Sequence, residues 1–139
     1  TRTFSKAYGL AGLRVGYSIC NSKISDYINR VREPFNVNNT AQVAAIAALS
    51  DIDFLQESVN INNDGSKQLV DGFKLLDLKY IPSFANFIAV KFNDALQTYN
   101  DLLREGVIVR PVEMSNYLRI SIGTAKENEH LLSALKKIL

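Results

Sequence analysis

Residues 1–17, TRTFSKAYGLAGLRVGY, place Thr3, Ser5 and Lys6 just ahead of a glycine-rich, mostly uncharged turn, with Arg14 eight residues beyond the lysine and then Gly16. Two hydroxyls, a lysine and an arginine among small residues suit a phosphate cradle beside a reactive amine. Hydroxyl and guanidinium groups bind phosphate oxygens strongly and directionally. A lysine held near that positive charge and partly desolvated has its ammonium form disfavoured, which frees the amine for imine chemistry. Thr3 and Ser5 are two apart, so an extended segment projects them to one side together. The plainer alternative is a Ser-Lys turn with a surface arginine, its hydroxyls satisfying local backbone groups.

Positions 3–16, TFSKAYGLAGLRVG, resemble the cofactor-lysine signature of fold-type I pyridoxal-phosphate aminotransferases, within them the histidinol-phosphate aminotransferase branch. The resemblance implies that Lys6 is catalytic. Its amine would link covalently to pyridoxal 5'-phosphate and later carry the proton between substrate carbon and cofactor. Thr3, Ser5 and Arg14 fall on the positions that hold the cofactor phosphate. The cofactor ring is the electron sink, which leaves orientation and proton delivery to the protein. The resemblance further implies a cytoplasmic homodimer whose sites are completed by the partner subunit. Its reaction would turn histidinol phosphate and 2-oxoglutarate into imidazole acetol phosphate and glutamate, in histidine biosynthesis.

Family members are more than twice this long and are matched over their C-terminal part. The expected fold is therefore an α/β chain: residues 1–50 as the tail of a large cofactor domain, then 51–139 as a small α+β domain with a long linking helix. Rival readings are an aminotransferase for aromatic amino acids and a pyridoxal-phosphate decarboxylase for a phosphorylated amino acid. A reading of another class is a folded small domain without turnover. The matched stretch lacks the segment carrying the acid for the pyridine nitrogen and the aromatic that stacks on the ring.

Composition is that of an ordinary globular chain, with 47% hydrophobic and 22% charged residues. A net charge of +2, with scattered basic residues, argues against nucleic acid. One cysteine, Cys20, excludes an internal disulfide, and with a single distant histidine it gives no metal cluster. No apolar run approaches the ~20 residues that span a bilayer, and the start carries no signal-peptide pattern.

Outward from the motif, residues 13–20 (LRVGYSIC) read as a strand buried on both faces, with Cys20 an inert core residue at its end. Asn21 or Ser22 caps a helix running to about Arg32, with Ile24, Tyr27, Ile28 and Val31 on one face, and Pro34 ends it. A polar turn with Asn36, Asn38 and Asn39 precedes an alanine-rich helix over 41–49, apolar nearly all round and expected to be buried. Residues 51–76 predict a long helix with a stripe of Leu55, Val59, Leu69, Phe73 and Leu76. Gly65 costs it about 1 kcal/mol relative to alanine and marks a possible break, although the family's linking helix argues for continuity.

Short strands and helices follow. Strands are expected at 79–81, 86–92, 107–110 (stopped by Pro111) and 118–122. A helix at 94–104 turns Ala95, Leu96, Tyr99, Leu102 and Leu103 inward and closes at Gly106. Thr124-x-x-Glu127 is a capping box for a last helix with Leu131, Leu132, Leu135 and Ile138.

Arg119 is the second candidate. Leu118, Ile120 and Ile122 share one strand face and Arg119 and Ser121 the other, and a central arginine needs an anion because an unpaired buried charge is expensive. LRISIG resembles the family segment whose arginine clamps the substrate carboxylate, a task that suits a two-pronged guanidinium. The plain alternative is an internal salt bridge. Arg110, in VIVRP, matches the arginine that helps bind the substrate phosphate, across a hairpin loop from Arg119; its alternative is an exposed strand end. Asn38 and Asn86 have family-like surroundings without a fixed role, and His130 is expected to be solvated.

Overall fold

Local capping and periodicity set most of the elements. The computed structural model describes residues 1–139 and divides into two compact units, Thr1–Val59 and Asn60–Leu139. In the first, β1 (Arg2–Thr3) pairs antiparallel with β2 (Gly16–Tyr17), Thr3 opposite Gly16. A Cβ on Gly16 would sit 2.7 Å from the Arg2 carbonyl oxygen, so this crossing admits only glycine. Helix α1 (Ser22–Val31) starts where the Asn21 side chain accepts from the Ile24 amide, and α2 (Asn39–Ser50) where Asn38 accepts from the Ala41 amide at 2.8 Å. Phe4, Val15, Ala41 and Ala45 form a small core, with Tyr8, Leu10, Leu13, Val37 and Ala48 packed on it.

Two expectations fail here. Residues 13–20 do not form a buried strand: Leu13 ends a short 3-10 helix (Ala11–Leu13), only Gly16 and Tyr17 pair, and Ile19 and Cys20 are exposed. A doubly covered strand needs neighbours on both edges and layers on both faces, whereas β2 has one two-residue partner. Likewise α2 buries only Ala41 and Ala45 and leaves Val43, Ile46 and Leu49 exposed. The apolar face of α1 is as open, from Ile24 to Val31.

Helix α3 (Ile52–Leu75) is unbroken. The expected boundary at 50/51 falls just before it, and the two units part inside it. Gly65 is no break: its missing side chain lets the helix approach Gly123, where a Cβ would come within 2.9 Å of the carbonyl oxygen and 2.7 Å of Ile122 Cγ2.

The second unit is a four-stranded antiparallel sheet of order β3-β4-β6-β5, from β3 (Lys79–Ile81), β4 (Phe87–Lys91), β5 (Arg110–Pro111) and β6 (Tyr117–Ser121). With α4 (Ala95–Arg104) and α5 (Ala125–Ile138) it makes an α+β layer. Ile88, Val90, Leu118 and Ile120 point inward onto Leu69, Phe73, Leu102, Leu131 and Leu135. The strand expected at 107–110 is shorter and shifted: β5 pairs through Arg110 and Pro111. Proline is tolerated there because β5 is an edge strand with no ladder bond to lose on its outer side. On α4, Leu96 and Leu103 are exposed, and Thr98 takes a buried place, its hydroxyl donating to the Asp94 carbonyl at 2.7 Å.

Asn128 is the buried polar pin of this unit. Its Nδ2 lies 3.1 Å from Gln68 Oε1 and 3.1 Å from the Gly123 carbonyl, and its Oδ1 accepts from the Gly123 amide at 3.0 Å. The bonds tie α3 to the turn that follows β6.

Candidate functional site

The first cluster is built on the bend after β1. Phe4 is buried, its amide donating to the Val15 carbonyl and its carbonyl accepting from the Leu10 amide, which folds residues 5–9 into a short loop. The Lys6 carbonyl closes that loop by accepting from the Gly9 amide at 2.8 Å. Thr3 Oγ1 accepts from the Ser5 amide at 3.1 Å, so this hydroxyl does satisfy local backbone and keeps its own proton free to donate.

Arg14 has φ 53, the left-handed region that costs a non-glycine residue energy. That conformation turns its guanidinium back over the loop: Nη1 donates to the Ala11 carbonyl at 2.7 Å and lies 3.5 Å from Ser5 Oγ. Thr3, Ser5 and Arg14 are thereby brought together as donors around the loop that carries Lys6. The donor set fits a phosphate. Lys6 itself is exposed, so the desolvation expected of a reactive amine is not supplied by this chain's own packing.

The second cluster lies on the outer face of the four-stranded sheet. Arg110 and Arg119 are direct cross-strand partners on β5 and β6, and Ala89 of β4 is opposite Arg119 on its other side. Like charges placed directly opposite are unfavourable without an anion between them. Neither arginine takes part in an ion pair, which sets aside the internal salt bridge. Arg119 is half-buried, its Nε shielded and without a hydrogen-bond partner, and its guanidinium lies 4.9 Å from the centre of the Phe87 ring. With Pro111, Val112 and Glu113 the two arginines line an open cavity of about 610 Å³. This arrangement can receive a carboxylate or a phosphate.

The class I and II aminotransferase profile matches residues 1–135. The chain belongs to that family. It is 55% identical to histidinol-phosphate aminotransferase 2 of Pseudomonas aeruginosa, an alignment covering 100% of this chain and 39% of that protein. Among solved structures, the histidinol-phosphate aminotransferase of Clostridium acetobutylicum matches with a TM-score of 0.90 at 26% identity, over 97% of this chain and 43% of that one. That of Sinorhizobium meliloti, in complex with pyridoxal-5'-phosphate, matches with a TM-score of 0.85 at 30% identity, over 97% and 39%. The chain thus spans about 39% of the length of the relatives it matches.

For this member of the family the sequence reading named both clusters but missed Phe87. Only the register of β4 against β6 puts Phe87 and Arg119 on one face, and the sequence by itself does not give that register. Of the other polar candidates, Asn38 is a helix cap, the Asn86 carbonyl accepts from the Ile122 amide, and exposed His130 has Nε2 3.2 Å from the Glu105 carbonyl.

Proposed function

We propose that this chain carries the lysine, phosphate-holding and substrate-anion residues of a pyridoxal-phosphate-dependent histidinol-phosphate aminotransferase. The convergence of Thr3, Ser5 and Arg14 around the Lys6 loop carries the reading, supported by 55% identity to a relative of that name. Bound there, the cofactor would supply an electron sink for breaking a bond at the substrate's amino-bearing carbon. Thr3, Ser5 and Arg14 would hold its phosphate, and Lys6 Nζ would bind it and move the proton. Arg119 would orient the substrate carboxylate of glutamate or 2-oxoglutarate, and Arg110 the phosphate of histidinol phosphate. In the whole protein we read residues 1–50 and 51–139 as parts of a large and a small domain of a cytoplasmic homodimer. Because Lys6 is exposed here, the isolated chain should turn over little.

The test is to add pyridoxal phosphate, reduce with borohydride and map the labelled peptide. The expected adduct sits on Lys6 and falls sharply in Arg14→Ala. Label spread evenly over surface lysines, unchanged in Arg14→Ala, would sink the assignment of this cradle.

A further inference from the structure

We propose that Phe87 is a positioning residue for the anion-binding arginine, Arg119. This rests on the reading of Arg119 as a carboxylate ligand. The geometry starts from strand register. Phe87 stands directly opposite Ser121, so Arg119, two residues earlier on β6, is its diagonal neighbour on the same face. Diagonal neighbours lie within reach of an aromatic ring, and the ring centre is 4.9 Å from the guanidinium carbon.

No ion pair holds that group. Its Nε has no hydrogen-bond partner, the residue opposite it on β4 is only Ala89, and its other cross-strand neighbour, Arg110, repels it. A guanidinium is planar and binds a carboxylate through two parallel bonds, so its plane must be set before the ligand arrives. Phe87 sets that plane through its ring face. Without the ring, Arg119 keeps its charge but regains rotamer freedom that ligand binding must remove.

The experiment uses the full 139-residue chain with succinate as the probe, followed through the Arg119 Nε–Hε resonance and the succinate dissociation constant. Phe87→Leu should weaken succinate by about fivefold or more, the size expected for losing a ring–cation contact and its ordering. It should also move the Arg119 resonance toward that of free arginine, while amide signals of the inward face stay in place. Phe87→Tyr, which keeps the ring, should restore both. If Phe87→Leu disturbs the fold, Phe87→Met makes the same comparison. Wild-type affinity and an unmoved resonance in the ring-less variant overturn the role of Phe87 alone. If Arg119→Gln binds succinate as the wild type does, or the wild type does not bind it, the reading of Arg119 falls and the inference falls with it.

Discussion

Thr1–Val59 and Asn60–Leu139 have comparable helix signals and very different interiors. Both start helices with well-made caps: Asn21 and Asn38 in the first unit, Asp94 and Thr124 in the second. In the second unit, caps and periodicity converge on one core, where Leu69, Phe73, Val90, Leu102, Leu118 and Leu135 are fully buried. In the first, the core is four residues, two of them alanine, and the apolar faces of α1 and α2 stay open. Caps and amphipathic pattern are local properties and suffice to place a helix; burial needs a partner surface. The most specific motif of the chain, around Lys6, therefore lies in the unit that packs least.

Truncations offer the widest way to break that contrast. Phe73→Ala should destabilise the second unit by about 3–5 kcal/mol, since it removes a fully buried ring. Val43→Ala, on the open face of α2 where Val43 is 68% exposed, should stay within about 0.5 kcal/mol. Urea unfolding followed by circular dichroism measures both. A cost at Val43 approaching that at Phe73 would mean that α2 is covered in solution and that the contrast between the units is not a property of the folded chain.

A glycine pair sharpens it. Helix propensity alone predicts that Gly65→Ala gains about 1 kcal/mol. The structure reverses the sign: the new methyl would meet the Gly123 carbonyl oxygen at 2.9 Å and Asn128 Nδ2 at 2.9 Å, both held in the hydrogen-bonded pin. Overpacking of this kind costs about 1–3 kcal/mol, so the net change should be destabilising. Gly12, in the first unit, has nothing within 4 Å of the same methyl, and Gly12→Ala should be neutral or slightly stabilising. Thermal unfolding of the two variants decides it, and a Gly65→Ala variant more stable than the parent would refute the close approach.

How much could be read beforehand follows the same division. The strands at 79–81, 87–91 and 117–121, helices α3, α4 and α5, and the facing of Arg110 and Arg119 were legible because their periodicity matched the partners that fold against them, whereas α1 and α2 were legible as helices and the burial expected of α2 was not met. Residues 13–20 misled because an apolar run signals burial without naming what does the burying. Gly65 was read inside a continuous helix, as α3 is, but propensity registers the helix and not its neighbour, Gly123, so the reason for a glycine there stayed hidden. Phe87 was invisible as a site residue until register placed it beside Arg119, and a cation–ring contact leaves no motif. The cradle of Thr3, Ser5 and Arg14 was legible as a set, but the left-handed turn at Arg14 that assembles it was not.

The smallest expected effect distinguishes the caps themselves. Asn21 and Asn38 carry no ionisable group, whereas the cap of α5 is closed by a carboxylate. Glu127 Oε2 accepts from the Thr124 amide at 2.7 Å and from its hydroxyl at 2.8 Å, and these bonds, the backbone one foremost, hold its pKa below the ordinary 4.5. A carboxylate whose folded pKa is depressed adds stability that is present above the unfolded value and is lost as pH falls through the folded one. The second unit should therefore lose a little stability as pH drops below about 4.5, and Glu127→Gln, which keeps the shape but cannot titrate, should flatten that part of the profile. Thermal midpoints measured from neutral pH down through the carboxylate range, parent against variant, read the difference directly. Parallel profiles would mean that the capping carboxylate is as free in the folded chain as in the unfolded one. The α5 cap would then differ from those of α1 and α2 in composition only.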